Sequence, residues 1–372
     1  MLIVLSGGGT AGHINPALAL AEELEKRGCT VRFAGTPTGV ESRLVPAAGI
    51  EFKAFEAQGF DRSHPLTLPK AIMKIQKSTG EAKRWFDEIQ PDAVVGFGGY
   101  VCIPVARAAE QCDIPVVVHE QNSVMGMANK YLAKRAAAVC LTYERAAEAL
   151  SDKSRVEVTG NPVRSSVFGA TRAEGRAAFG VPDDARMLLV TGGSLGARHL
   201  NQAVTALKDA LLSYEDLHVV HVTGPKELDA VADALSLGEV EARRWHLYGY
   251  TDQMGLAMAA ADAIVSRAGA TSLAEISARA LPALLVPFPY ATEDHQTMNA
   301  RACVDAGAAF MVADADVEGP EFERLLRTLV EDADVRERMA CAARAQKTRD
   351  AAALLADAVM QAASSRGSKD AR

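Results

Sequence analysis

Two stretches of this 372-residue chain share one pattern, LIVLSGGGTAGH from residue 2 and MLLVTGGSLGARH from residue 187. In each, an apolar strand runs directly into a glycine loop that opens a helix. A chain that starts this unit twice is constrained to a doubly wound α/β fold with two parallel sheets. The stretches between agree. After the first start come a helical period over 14–27 and the strand runs TVRFAG, DAVVGF, IPVVVH, AAVCLT and VEVTG. After the second come helices from Arg198 and Pro225 and the runs LHVVHVTG, RWHLYGY, DAIVSRAG, ALLVPF and AAFMV. Near-continuous apolar runs of this length are what sheets covered on both faces require. No shorter period repeats, which excludes a solenoid.

The seam between the two series falls near GNPVRSS, residues 160–166. The expected division is 1–163 for the first domain and 164–345 for the second, then a helix over 346–363 and a polar, disordered tail over 364–372. A net charge of −7 without any strongly basic block makes nucleic acid an improbable partner, so an anionic ligand must be held locally. Six scattered cysteines form no CxxC pair, which points to neither a zinc site nor a disulfide framework and fits a reducing cytosol. The opening MLIVLS lacks the length and positive flank of a signal peptide. No stretch reaches the roughly 18 apolar residues of a spanning helix, so any membrane contact is expected to be peripheral.

Glycine loops between a strand and a helix N-terminus leave aligned backbone N–H groups that favour phosphate. Gly7, Gly9 and Gly12 also match GxGxxG. A dinucleotide site further requires an acid at the end of the second strand. That strand ends Phe33-Ala34-Gly35-Thr36, and Glu22, Glu23 and Glu25 fall in the helix instead. The bland alternative, glycines serving only a tight turn, loses ground because GFGGY (96–100), GGSLGAR (192–198) and SRAGATSLAE (266–275, with Ser272 as the expected cap) also follow strands. The carboxyl ends of the strands are the ligand edge of such sheets, and two facing edges would form a cleft.

The segments GGTAGHINP, FGGYV, HEQNSVMGMANK, TGNPVR, TGGSLGAR, RAGATSLAE and HQTMNA occur here in that order, from residue 3 to about 312. In this the chain resembles the MurG family, bacterial transferases that move N-acetylglucosamine (GlcNAc) from UDP onto undecaprenyl-pyrophosphoryl-MurNAc-pentapeptide, lipid I. The resemblance implies a GT-B glycosyltransferase with two Rossmann-like domains facing a cleft. The first would bind the acceptor and the second UDP-GlcNAc, with the last helix returning to the first. It also implies an inverting reaction without a cofactor that yields β-1,4-linked lipid II for peptidoglycan, at the cytoplasmic face of the plasma membrane. Cell shape and division would depend on that product, and other wall-synthesis proteins would be partners.

Carried over motif by motif, the resemblance makes Arg164 and Ser194 nucleotide-sugar contacts and places the backbone of Thr251 against the uracil. Ala270, Thr271 and Ser272 would face the phosphates, Glu275 the ribose hydroxyls, and Gln296 and Asn299 the sugar. Thr10, Ala11 and Gly12 would close over the donor, and Asn122 would reach the same site. Leu195 stands where many relatives carry glutamine. Gly98, Gly99, Tyr100, His119 and Glu120 are assigned to the acceptor.

Attack on the anomeric carbon requires the acceptor 4-hydroxyl to lose its proton, and histidine suits that at neutral pH. His13 is the candidate base, with binding of the acceptor pyrophosphate as its competing role. His119 and Glu120 are the reserves, and His295 is expected on the donor side. UDP can leave without a metal if fixed donors neutralise its charge. The two DxD matches, Asp314/Asp316 and Asp332/Asp334, read as solvated acids away from the glycine loops.

Residues 68–86 interleave Ile72, Met73, Ile75, Trp85 and Phe86 with Lys70, Lys74, Lys77, Lys83 and Arg84. That mixture suits an interfacial helix on an anionic leaflet, the alternative being an amphipathic helix whose apolar stripe is core. Three other functions compete with lipid I transfer. They are a transferase to another lipid, a UDP-GlcNAc 2-epimerase that needs no acceptor, and a non-catalytic nucleotide-sugar-binding subunit.

Overall fold

The computed structural model describes residues 1–57, 68–193, 196–345 and 350–367. The chain forms two compact units, one of residues 1–164 together with 348–372 and the other of residues 165–347.

The first unit alternates strand and helix: β1 (Leu2–Ser6), α1 (Ala11–Lys26), β2 (Thr30–Gly35), α2 (Glu41–Ala47), β3 (Glu51–Ala54) and α3 (Leu68–Ile89). It continues with β4 (Ala93–Gly96), α4 (Cys102–Gln111), β5 (Val116–Glu120), α5 (Met127–Leu132), β6 (Ala138–Leu141) and β7 (Val156–Val158). The strands form one sheet in the order β3-β2-β1-β4-β5-β6-β7, and every pair is parallel.

The second unit runs α6 (Ser165–Gly169), α7 (Arg172–Phe179), β8 (Arg186–Thr191), α8 (Arg198–Ala206), α9 (Lys208–Leu212), β9 (Leu217–Val222) and α10 (Leu228–Leu235). It then runs β10 (Trp245–Tyr248), α11 (Met254–Ala260), β11 (Ala263–Ser266), α12 (Ala270–Ala278), β12 (Ala283–Leu285), α13 (His295–Asp305), β13 (Ala309–Met311), α14 (Pro320–Glu331) and α15 (Ala333–Arg344). Its parallel sheet has the order β10-β9-β8-β11-β12-β13. In both sheets the third-to-fourth connection reverses direction, which puts a topological switch point between β1 and β4 and another between β8 and β11.

Local chemistry explains the boundaries. Thr171 caps α7 by accepting from the Glu174 N–H while Glu174 reaches back to the Thr171 N–H, and left-handed Gly180 ends the helix. A cap of this kind stabilises a helix by about 1 kcal/mol. Central strands are buried along their whole length, β5 and β9 included.

The last helix, α16 (Ala351–Gly367), belongs to the first unit. Leu355, Ala356 and Val359 are fully buried in the same core as Leu18, Leu20 and Val95. Arg27 of α1 bonds Asp357 at 2.5 Å and the Ala353 carbonyl at 3.2 Å, and Arg366 reaches the Pro91 carbonyl at 2.5 Å. Helix therefore continues through residues 364–367, which the sequence assigns to a disordered tail; residues 368–372 lie outside the described residues.

Candidate active site

Two glycine loops meet at the switch point of the first unit because β1 and β4 are neighbours. The Gly8 N–H donates to the Gly98 carbonyl at 3.3 Å. Gly99 has φ +85°, and a Cβ there would lie 2.5 Å from the Gly8 oxygen, so only glycine lets the loops approach this closely. Gly98, at φ +107°, faces the ring of His13, whose Nε2 would lie 3.1 Å from any Cβ added there. Tyr100 projects outward and is exposed.

His13 sits in the first turn of α1. Its Nδ1 lies 2.8 Å from the Gly8 carbonyl oxygen. A carbonyl can only accept, so Nδ1 carries the proton and the Nε2 lone pair is left for another partner. Thr10, at the cap position, is exposed, and Ala11, Gly12 and His13 are half-buried. The helix start thus presents a proton acceptor and a loop edge together.

A residue that the sequence reading missed lies beneath this loop. Glu41, at the start of α2, is fully buried. Its Oε1 accepts from the Thr36 N–H at 3.0 Å and the Thr36 hydroxyl at 2.6 Å, and its Oε2 accepts from the Gly9 N–H at 3.3 Å. The sequence suggests that no acid serves the end of β2. Glu41, six residues beyond that strand, fills the space, but it is sealed from any ribose. The fit of glycines 35 and 39 around it was the available signal.

Two assigned residues need correction. His119 and Glu120, at the end of β5, are 0% and 2% exposed, so neither can meet an acceptor or serve as a base in this structure. His119 bonds the Gly160 carbonyl through Nε2 at 2.9 Å and Gln121 through Nδ1 at 3.1 Å, and burial pushes its pKa down to about 4. Glu120 accepts from the N–H groups of Asn122 and Gly126 at 3.0 Å and from Asn129 at 2.8 Å. Both hold the loop that carries Asn122, which is half-buried. Arg164, the final residue before the second unit, pairs with Glu22 of α1 at 3.0 Å.

In the second unit, β8 and β11 are neighbours at the switch point, and the loop after β8 approaches the end of β9, where a Cβ on Gly196 would lie 2.3 Å from the Thr223 oxygen. Ser194 and Leu195 lie outside the described residues. Gly269 occupies the cap position of α12, so Ser272 is inside the helix and is not its cap. Ala270 is buried, while Thr271, Ser272 and, one turn on, Glu275 are half-buried. Gln296 Oε1 accepts from Ala268 at 3.2 Å and from Phe288 at 3.0 Å, which joins the loops after β11 and β12. Asn299 is fully buried within α13, which rules out the direct sugar contact assigned to it. Thr251 accepts from the Gln253 N–H at 3.0 Å in a tight turn, and His295 Nδ1 bonds the Thr292 carbonyl at 2.7 Å.

Asp314 also departs from expectation. It is 12% exposed, and its partners are Arg267 of the β11 loop at 2.5 Å and His199 of α8 at 2.9 Å. Burial alone would raise its pKa, but the bonds from His199 and Arg267 outweigh it and the carboxyl is held below its usual range. The same bond raises the pKa of His199. Asp314 is therefore part of the loop edge of this sheet and not a solvated acid, whereas Asp316 is exposed and Asp332 caps α15. Among the described residues, no three His, Cys, Asp or Glu side chains come together as a metal site.

Helix α3 divides into two parts. Trp85 and Phe86 are buried against Phe55, so they are core and not membrane residues. Ile72 and Met73 are exposed, Met73 at 69%, while Lys74 and Ile75 are half-buried. No helix among the described residues is long and apolar enough to cross a membrane.

Models of the glycosyltransferase family 28 N-terminal and C-terminal domains match residues 3–141 and 187–355. A protein of Halothermothrix orenii, named UDP-N-acetylglucosamine–N-acetylmuramyl-(pentapeptide) pyrophosphoryl-undecaprenol N-acetylglucosamine transferase, is 37% identical over 91% of this chain and 93% of its own. One of the same name from Leuconostoc mesenteroides is 43% identical over 86% and 87%. Among solved structures, MurG of Acinetobacter baumannii superposes with a TM-score of 0.75 at 31% identity, covering 97% of this chain and 99% of that one. The UDP-GlcNAc 2-epimerase of Neisseria meningitidis shares the fold, with a TM-score of 0.67 at 15% identity and coverage of 97% and 100%.

Proposed function

The chain belongs to glycosyltransferase family 28, and from that premise we propose how it works as the GlcNAc transferase of lipid II synthesis. It moves GlcNAc from UDP-GlcNAc to the undecaprenyl-pyrophosphoryl MurNAc-pentapeptide, which supplies the peptidoglycan precursor. The first unit takes the acceptor and the second takes the donor. His13 Nε2 removes the proton from the MurNAc 4-hydroxyl as that oxygen attacks the anomeric carbon, inverting it, and UDP departs with the electron pair of the broken bond.

The observation that carries this chemistry is the bond from His13 Nδ1 to the Gly8 carbonyl, which leaves Nε2 as the ring's proton acceptor. A positioned base contributes about 10²- to 10⁴-fold in rate. On the donor side, the start of α12 faces the diphosphate, Glu275 accepts from the ribose hydroxyls, and Arg164 and Ser194 add further contacts. Fixed donors and the helix terminus suffice to hold the departing UDP without a metal.

The enzyme meets its lipid acceptor as a peripheral protein on the cytoplasmic leaflet. Exposed Ile72 and Met73, with exposed Lys77 one turn on, support contact through the first half of α3. Flotation with anionic liposomes tests it: the pair Ile72→Glu and Met73→Glu should leave the protein in the dense fraction, and unchanged flotation would remove this face from consideration.

The deciding assay is transfer of labelled GlcNAc to a lipid I analogue, with and without EDTA. His13→Ala should lose most of the rate and Glu275→Ala should weaken use of UDP-GlcNAc. Full activity in His13→Ala excludes it as the base, and loss of wild-type activity in EDTA excludes the metal-free reading. UDP-ManNAc formation without acceptor would support the epimerase reading instead.

A further inference from the structure

The Gly8 carbonyl and the Gly9 N–H belong to one peptide group. Its oxygen takes the His13 Nδ1 bond at 2.8 Å, and its nitrogen donates to Glu41 Oε2 at 3.3 Å. We propose that Glu41 is a positioning residue for catalysis, acting on His13 through this peptide: it holds the Gly8–Gly9 plane so that the carbonyl fixes the imidazole tautomer. The inference rests on His13 being the base and goes beyond it.

Glu41 occupies a built socket. Added Cβ atoms would come within 2.8 Å of its carboxylate at Gly8, 2.2 Å at Gly39 and 2.6 Å of its Cγ at Gly35, so three glycines are shaped around this one side chain. Among the described residues it forms no ion pair, and its partners are the three donors on Thr36 and Gly9. A buried carboxylate is costly to keep without a cation, so donors on both oxygens are needed to hold it. It turns the flexible three-glycine loop into a fixed surface.

The peptide then works as a spacer. A peptide N–H held by an anion polarises its own carbonyl, which strengthens the bond that the carbonyl accepts. Nδ1 keeps its proton throughout the reaction. Only Nε2 changes state, taking the hydroxyl proton to form an imidazolium while the sugar oxygen bonds to the anomeric carbon and UDP leaves. No proton travels along the relay. Its role is to keep the lone pair on the nitrogen beside Gly98 and to hold the ring at one angle.

An amide cannot replace the carboxylate. Donors face both oxygens of Glu41, so the NH2 of a glutamine must meet either Gly9 or Thr36 donor to donor. The test is 15N NMR of the ring nitrogens in the full chain at neutral pH, with the His13 signals assigned by their loss in His13→Gln. Wild type should show Nδ1–H and unprotonated Nε2. In Glu41→Gln a second, Nε2–H population should appear, and kcat should fall about tenfold, a fraction of the roughly 10²- to 10⁴-fold that a positioned base contributes, with KM for UDP-GlcNAc unchanged.

A wild-type ring protonated at Nε2 overturns the proposal, and that reading needs no variant to fold. So does a folded Glu41→Gln protein with an unaltered tautomer. Full activity in His13→Ala would sink the base assignment instead, while the tautomer measurement would still report whether Glu41 orients the ring.

Discussion

Asp314 accepts a hydrogen bond from His199 at 2.9 Å and so ties the start of α8 to the segment that follows β13. Its other partner, Arg267, bonds the carbonyls of Val286 and Pro287 at 3.2 and 3.1 Å and lies over the Phe288 ring. One carboxylate thus sets the positions of loops from three strand ends.

Asp314→Asn should therefore raise KM for UDP-GlcNAc about tenfold, which corresponds to about 1.4 kcal/mol of lost donor binding. Acceptor KM should not move. Steady-state kinetics with each substrate varied in turn reads both values, and a change on the acceptor side alone would contradict the role.

Gly98→Ala addresses the first unit. The substitution forces a side chain onto φ +107° and puts a methyl 3.1 Å from His13 Nε2. Strain of about 1–3 kcal/mol and a covered lone pair should lower kcat sharply while UDP-GlcNAc still binds. Calorimetric titration with UDP separates the two effects.

Acid should destabilise the first unit through His119. Its folded-state pKa is about 4, below the 6.5 of an ordinary exposed histidine, because burial disfavours the charged ring. Between those values the unfolded chain binds the proton and the folded one does not, so stability falls as pH drops from 6.5 toward 4. The full loss is about 3 kcal/mol. His119→Gln should flatten this limb of a plot of melting temperature against pH. His221, whose pKa burial lowers to about 3, adds a parallel limb in the second unit that His119→Gln leaves in place.

Leu355→Ala opens a cavity beneath α16, where the side chain is fully buried. A loss of about 2–5 kcal/mol is expected, measured as a lower urea midpoint. The weakened region should include α1, because Arg27 is fastened to the same helix, and hydrogen exchange would locate it.

The doubly wound order of both sheets was legible because buried parallel strands leave long apolar runs and because the strand–glycine–helix start occurs twice. The position of His13 followed from the same repeat. What escaped was decided by tertiary packing. Glu41 looks like an ordinary first-turn acid of α2, and only the folded loop brings it under Gly9. Asp314 stands in an alanine-rich acidic segment, yet β13 delivers it to Arg267. Trp85 and Phe86 share an amphipathic helix with Ile72 and Met73, and periodicity cannot say which end of that helix is covered. His119 reads as a reactive histidine next to a glutamate until the strand that carries it is buried on both faces.

The return of α16 to the first unit also fixes an order of events during synthesis. The second unit has its own core and can close once residue 347 has left the ribosome. The first unit cannot, although it begins to emerge earlier, because the part of its α1 face that lies over β4, β5 and β6 stays uncovered until α16 arrives. At about 5–20 residues per second the intervening segment of the second unit holds that apolar face open for roughly 10–40 s. In the cell the half that emerges first is the last to be completed, and it is the half that most needs protection from aggregation while the chain is being made.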